Sequence, residues 1–328
     1  MQKMNNYIEN IEKIENLLKI GNYLKLYRIN YNNNRIYVQE EPFAHYSGLT
    51  GALSAATFKG DQDAKRLSSW RNSMIDSFGE ANTENYVAMT ADFGTLLHMA
   101  MVTIKDKGLI KWDEERDKAY DYFVKCYKAK SLDPDLKTIK KIVYEYQKHV
   151  ASLLQWVYER VQEIYAIEVP VKWEALKIAT PIDIFCSCRQ TEKGPFANTT
   201  VNIKTSSQIS NHQLEQISCE MHMWNQTYGG EFLDDIKNTA EFTGIIRTKD
   251  WNESKSPTYE YKYLTFEQAK IYKEAAKARL QLCLNSSASY FPSPVNKSFK
   301  GETKIGEMPV IESTTLEEEW NSILTEAV

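Results

Sequence analysis

From residue 166 the apolar residues change period, and this change constrains the fold more than any other feature. Upstream they recur at helical spacing, over about 63–78, 90–104, 113–129 and 135–165. Downstream they fall into short alternating runs bounded by polar loops, at 166–173, 182–188 and 199–205. Helices and strands bury faces of different period, so the two stretches belong to different layers. Loop 189–198 joins the second and third runs, with Gly194-Pro195 as its expected turn. A helix is expected over 211–226, with Leu214, Ile217, Met221 and Trp224 on its apolar face. Strands at about 241–247 and 258–263 and a long helix at about 265–284 complete the pattern. This order implies an α/β fold with a mixed sheet flanked by helices.

The flanks differ in texture. Ile8, Ile11, Ile14, Leu17 and Leu18 form one stripe of an amphipathic helix over 7–20, and short strands are expected at 23–29 and 35–39. After Leu284 the sequence reads as an extended tail, ending in a short helix begun by Thr314 or Thr315 and the acids that follow. The tail helix is expected to dock on its own domain, with a partner protein reached near Trp320 as the other reading. Four segments result: 1–60, with a helix and short strands; 61–165, helical; 166–284, the core; and 285–328, the tail.

Composition removes several classes of function. A formal net charge of -4 over 328 residues leaves no global basic footprint, so any nucleic-acid contact must be local. No apolar run reaches the ~20 residues of a membrane helix, and the first residues lack a signal-peptide core. No membrane partner and a cytoplasmic location are therefore expected, the host cytoplasm for a phage-encoded chain. The five scattered cysteines argue for reduced thiols rather than a disulfide framework, and Cys186-Ser-Cys188 has no second pair with which to hold zinc.

The chemistry concentrates on two strands. Asp183 lies between Ile182 and Ile184, and an acid among isoleucines is costly unless paired or bound to metal. In the next strand Asn202 and Lys204 share one face, while Val201 and Ile203 point to the other. Ile182 and Ile184 are expected to flank Asp183 in the same way. An acid at 202 would complete a two-carboxylate site for a hard cation such as Mg²⁺, with Lys204 orienting water. Asn offers one neutral oxygen instead. Three readings follow: an Asp-to-Asn replacement in this chain; a natural Asn with charge supplied by Glu215, Glu220 or Glu192; or a fold kept as a non-catalytic nucleic-acid-binding or assembly module.

Asp183 followed by Asn202-Ile203-Lys204 resembles the core of the PD-(D/E)xK nuclease superfamily, a restriction-endonuclease-like fold. Phe93-Gly94-Thr95-Leu96-Leu97-His98 resembles the Gly-Thr-x-x-His motif of its RecB-like exonuclease branch. Glu168, Lys204-Thr205-Ser206, the Gln213/Gln216 helix, Leu49-Thr50 and Leu67-Ser-Ser-Trp70-Arg71 add to the likeness over 45–284. The ensemble is similar to mitochondrial genome maintenance exonucleases and to phage and CRISPR-associated relatives. It departs at Asn202, at Thr180-Pro181 where a glycine is usual, and at Glu220 where an aromatic often stands. The resemblance implies a deoxyribonuclease acting at single-stranded DNA ends in replication, repair or recombination. It implies Mg²⁺ or Mn²⁺ held by His98, Asp183, residue 202 and the Ile203 carbonyl. Lys204, Gln216 and Glu168 become the catalytic set, and 166–284 the nuclease core. The four-cysteine pattern of some relatives is missing, so no iron–sulfur cluster is expected. Lys105, Lys107, Lys111, Lys137, Lys140 and Lys141 become candidate phosphate contacts.

Overall fold

The computed structural model describes residues 26–31, 34–39, 42–56, 80–129, 136–206, 208–229, 232–233, 236–248, 257–285, 295–300 and 310–318, with isolated positions in 65–76 and Asn321. The expected helix at 7–20, Leu67, Trp70, Trp320 and half of the positions in 63–78 lie outside them. Three strands open the described chain: β1 (Leu26–Tyr31), β2 (Asn34–Gln39) and β3 (Ala44–Gly48), followed by helix α1 (Leu49–Ala55). Helices α2 (Glu80–Lys107), α3 (Trp112–Ala129) and α4 (Leu136–Arg160) come next. Then follow β4 (Val161–Trp173), β5 (Ile178–Arg189), β6 (Phe196–Lys204) and α5 (Asn211–Thr227). The two-residue strands β7 (Phe232–Leu233) and β8 (Ile236–Lys237) precede β9 (Phe242–Thr248), β10 (Tyr259–Thr265) and α6 (Phe266–Asn285). The tail, expected to be extended, forms an antiparallel pair, β11 (Val295–Lys300) and β12 (Val310–Thr315).

Eight strands form one mixed sheet in the order β1-β2-β3-β5-β6-β9-β10, with β4 on the other edge of β5. Two core layers sandwich it. Helices α1, α5 and α6 pack on one face, against Val171, Ile182, Phe185 and Ile245. Helices α2, α3 and α4 cover the other, against Ile167, Ile184, Cys186, Val201 and Ile246. The α/β class and the mixed sheet agree with the sequence pattern. All five cysteines are free. No helix among the described residues is long and apolar enough to cross a membrane.

Two local expectations are corrected. The helix expected to reach 165 stops at Arg160, and β4 begins at once with Val161. Residues 161–166 pair with Cys188 to Phe185 of β5, so cross-strand bonding overrides their helical spacing. The β5–β6 turn centres on Glu192-Lys193 and closes through Gly194 N–H to the Thr191 carbonyl at 3.2 Å, rather than on Gly194-Pro195.

β5 is the branch point of the sheet. Its first residues pair with β3 in parallel, Ile178 with Ser47 and Ala179 with Gly48. From Ile184 onward the same edge pairs with β6 instead. Asp183 lies in the gap between the two partners.

Candidate functional site

At that gap two neighbouring strands change phase together. Along β4, Ile167 belongs to the core under α2–α4, whereas Val169 belongs to the core under α5 and α6. Along β5, Ile184 and Ile182 divide the same way. Strict alternation would put each pair on one face. The expectation that Ile182 and Ile184 share a face is therefore overturned. The shift is made by the backbone: Glu168 has a φ of 54°, in the left-handed region that a non-glycine residue enters at a cost. The ladder pairs Ile167 with Ile184 and Val169 with Ile182, and Glu168 and Asp183 face one another across the break.

The break gathers the predicted residues. Asp183 Oδ2 accepts the Ile203 N–H at 2.8 Å, which replaces a ladder bond where β5 and β6 part. His98 reaches the same carboxylate from α2, with Nε2 3.5 Å from Asp183 Oδ2, while its Nδ1 is hydrogen-bonded to Glu168. Helix α2 is held in place by buried Leu96, Leu97, Ala100 and Met101 and by the Tyr146 hydroxyl, which donates to the Leu96 carbonyl at 3.2 Å. One ligand atom each from His98, Glu168 and Asp183 lies within 4.8 Å of the others, so the trio is able to hold a metal ion.

From the opposite face comes a second set. Val201 and Ile203 point into the α2–α4 core as expected, which turns Asn202 and Lys204 toward α5. Ser210 and Gln213 form a capping box that starts α5. Gln216 and Glu220 follow one turn apart on its sheet-facing side. Asn202 Nδ2 donates to Glu220 Oε1 and Oε2 at 3.3 and 3.2 Å, and Gln216 Nε2 donates to Glu220 Oε1 at 2.7 Å. Asn202 Oδ1 is buried and, among the described residues, has no hydrogen-bond partner. Gln213 serves the helix start and Ser206 rather than the site.

Charge is shared across the break. Burial alone would lower the His98 pKa, but Asp183 and Glu168 outweigh it and raise it to about 9. Burial raises Asp183, and the nearby Glu168 adds to that effect against His98 and Lys204. Burial, then Asp183, pushes Glu220 up to about 8, while Lys204 opposes. Lys204 thus acts on both sides of the sheet.

Of the three acids expected as substitutes for one at 202, only Glu220 reaches Asn202. Glu215 is ion-paired with Arg279, and Glu192 sits in the β5–β6 turn. Two of the candidate phosphate lysines are already paired, Lys111 with Glu114 and Lys141 with Glu145. The left-handed backbone at Glu168 had no sequence signal, since nothing in its neighbours demands positive φ. Comparison of the chain with protein-family models and with curated proteins returns no match.

Proposed function

We propose that the chain is a divalent-cation-dependent deoxyribonuclease of the PD-(D/E)xK type, in the RecB-like exonuclease branch, acting at single-stranded DNA ends in replication, repair or recombination. The observation that carries this reading is the meeting of His98, Glu168 and Asp183 at the double phase break, with Lys204 alongside. A strained acid facing a buried acid is a costly arrangement for packing alone.

The donor set suits Mg²⁺ or Mn²⁺. It consists of carboxylate oxygens, one imidazole nitrogen and the unsatisfied amide oxygen of Asn202. His98 Nε2 and Asp183 Oδ2 would hold the ion. An extended residue turns its N–H and C=O to the same edge, so the Ile203 carbonyl faces Asp183 as well. When bound, the ion supplies a water of lowered pKa and positive charge for the phosphate oxygens. Glu168 fixes the imbalance between the two imidazole nitrogens: by binding Nδ1 it leaves Nε2 for the site. Lys204 orients the attacking water and offsets charge that builds on the phosphoryl group. Water oxygen bonds to phosphorus and gives up one proton, the bond to the leaving sugar oxygen breaks, and that oxygen takes up one proton in turn.

End-labelled single- and double-stranded DNA incubated with Mn²⁺ tests the reading. Cleavage that requires Mn²⁺, prefers single strands and is lost in Asp183→Ala and Lys204→Ala is expected. No cleavage by either the unaltered protein or Asn202→Asp overturns it.

A further inference from the structure

We infer that Glu220 supplies from helix α5 the negative charge that position 202 lacks on strand β6, so that Asn202 and Glu220 together replace one strand acid. The inference rests on the nuclease reading above. Its first support is the setting of Glu220. The carboxylate is 3% exposed, and among the described residues its hydrogen-bond donors are two neutral amides, Asn202 and Gln216. A buried carboxylate ordinarily has a cationic partner. Glu215, five residues back on the same helix, has one in Arg279. Amide donors hold Glu220 in place without cancelling its charge.

The second support is independent. Asn202 spends its amide nitrogen on Glu220, and its oxygen, fully buried, is left without a donor among the described residues. A buried carbonyl oxygen without a partner is uncommon and costly. A cation shared by Asp183, Glu220 and Asn202 Oδ1 would give the lone oxygen a partner and add to the positive charge that Lys204 brings to the buried acid. Glu has one methylene more than Asp, which suits an acid placed on the neighbouring helix rather than on the strand. Asn at 202 is then the partner that orients the displaced acid. An Asp there would set two carboxylates about 3 Å apart, with mutual repulsion.

The test is calorimetric titration of the metal-free full chain with Mn²⁺, alongside DNA cleavage. The proteins are the unaltered chain, Glu220→Gln, Asn202→Asp, the double variant Asn202→Asp/Glu220→Gln, and Asp183→Asn. Glu220→Gln is expected to weaken Mn²⁺ binding by roughly 10- to 100-fold. The double variant, with the acid returned to the strand, is expected to recover most of that loss. Asn202→Asp alone is expected to gain little, because the charge is already present. If Glu220→Gln unfolds, recovery in the double variant decides the matter. Unchanged Mn²⁺ affinity in Glu220→Gln, with affinity lost in Asp183→Asn, overturns this inference and leaves the nuclease reading standing. A double variant no better than Glu220→Gln also overturns it. An unaltered protein that binds no Mn²⁺ overturns this inference, and the nuclease reading falls with it only if Asn202→Asp also fails to cleave.

Discussion

Asp183 has two acidic neighbours, and the protein treats them differently. Glu168 is paired with an imidazole that carries a proton, in a pocket open enough to leave the two side chains 14% and 26% exposed. Glu220 is buried, held by amides. The first flank pairs its acid directly with a cation; in the second, among the described residues, the acid is bonded to amides and Lys204 acts on it through space. Without a bound metal, each flank holds a proton that a cation has to displace, on His98 in one case and on Glu220 in the other.

The comparison breaks most completely where the flanks meet. Asp183→Ala is expected to lower Mn²⁺-dependent cleavage by about a thousandfold, measured as single-turnover rates. Next comes Glu168→Gln, which removes the charge that orients His98. Mn²⁺ affinity should fall by roughly tenfold or more, and the imidazole titration followed by NMR should move down from about 9 toward 6.5. Acidity separates the flanks further. His98 stabilises the metal-free fold fully below its ordinary 6.5 and loses that contribution as pH rises through about 9. Glu220 has a raised folded pKa too, so it disfavours the fold increasingly from its ordinary 4.5 up through about 8. Both effects lower stability as pH rises from 7 to 9. Urea melts across that range should show the decline, shallower in Glu220→Gln than in the unaltered protein. The smallest effect lies outside the flanks. Lys105→Ala should reduce the salt dependence of single-strand binding by about 0.7 in log–log slope, whereas the ion-paired Lys111 and Lys141 should leave it unchanged when replaced.

What the sequence revealed depends on how local the cause was. Asp183, Asn202 and Lys204 were legible because strand alternation is a property of adjacent residues, and α5 because its apolar spacing is local. His98 became visible only through a motif, since Leu96, Leu97 and Met101 around it read equally well as ordinary core. The phase break was hidden because it depends on one backbone angle, at Glu168, that the fold imposes. The end of α4 was misplaced because Val161 to Ala166 became strand only on meeting their β5 partners, Cys188 to Phe185, well beyond the reach of local spacing. The link of β3 to β5 joins residues about 130 positions apart, a distance over which periodicity carries no information.

Leu316 bears on a different property of the molecule. It follows Thr315, whose hydroxyl accepts the Glu318 N–H at 3.2 Å, and it is buried against Ile29, Ile36 and Val38 of the first hairpin. Without Leu316 this apolar patch on the first hairpin would lie bare, and an exposed apolar patch invites self-association. The chain therefore closes over its own starting strands with its last described residues. Shortening it ahead of β12 would spare every residue of the site, yet shorten the protein's life in concentrated solution.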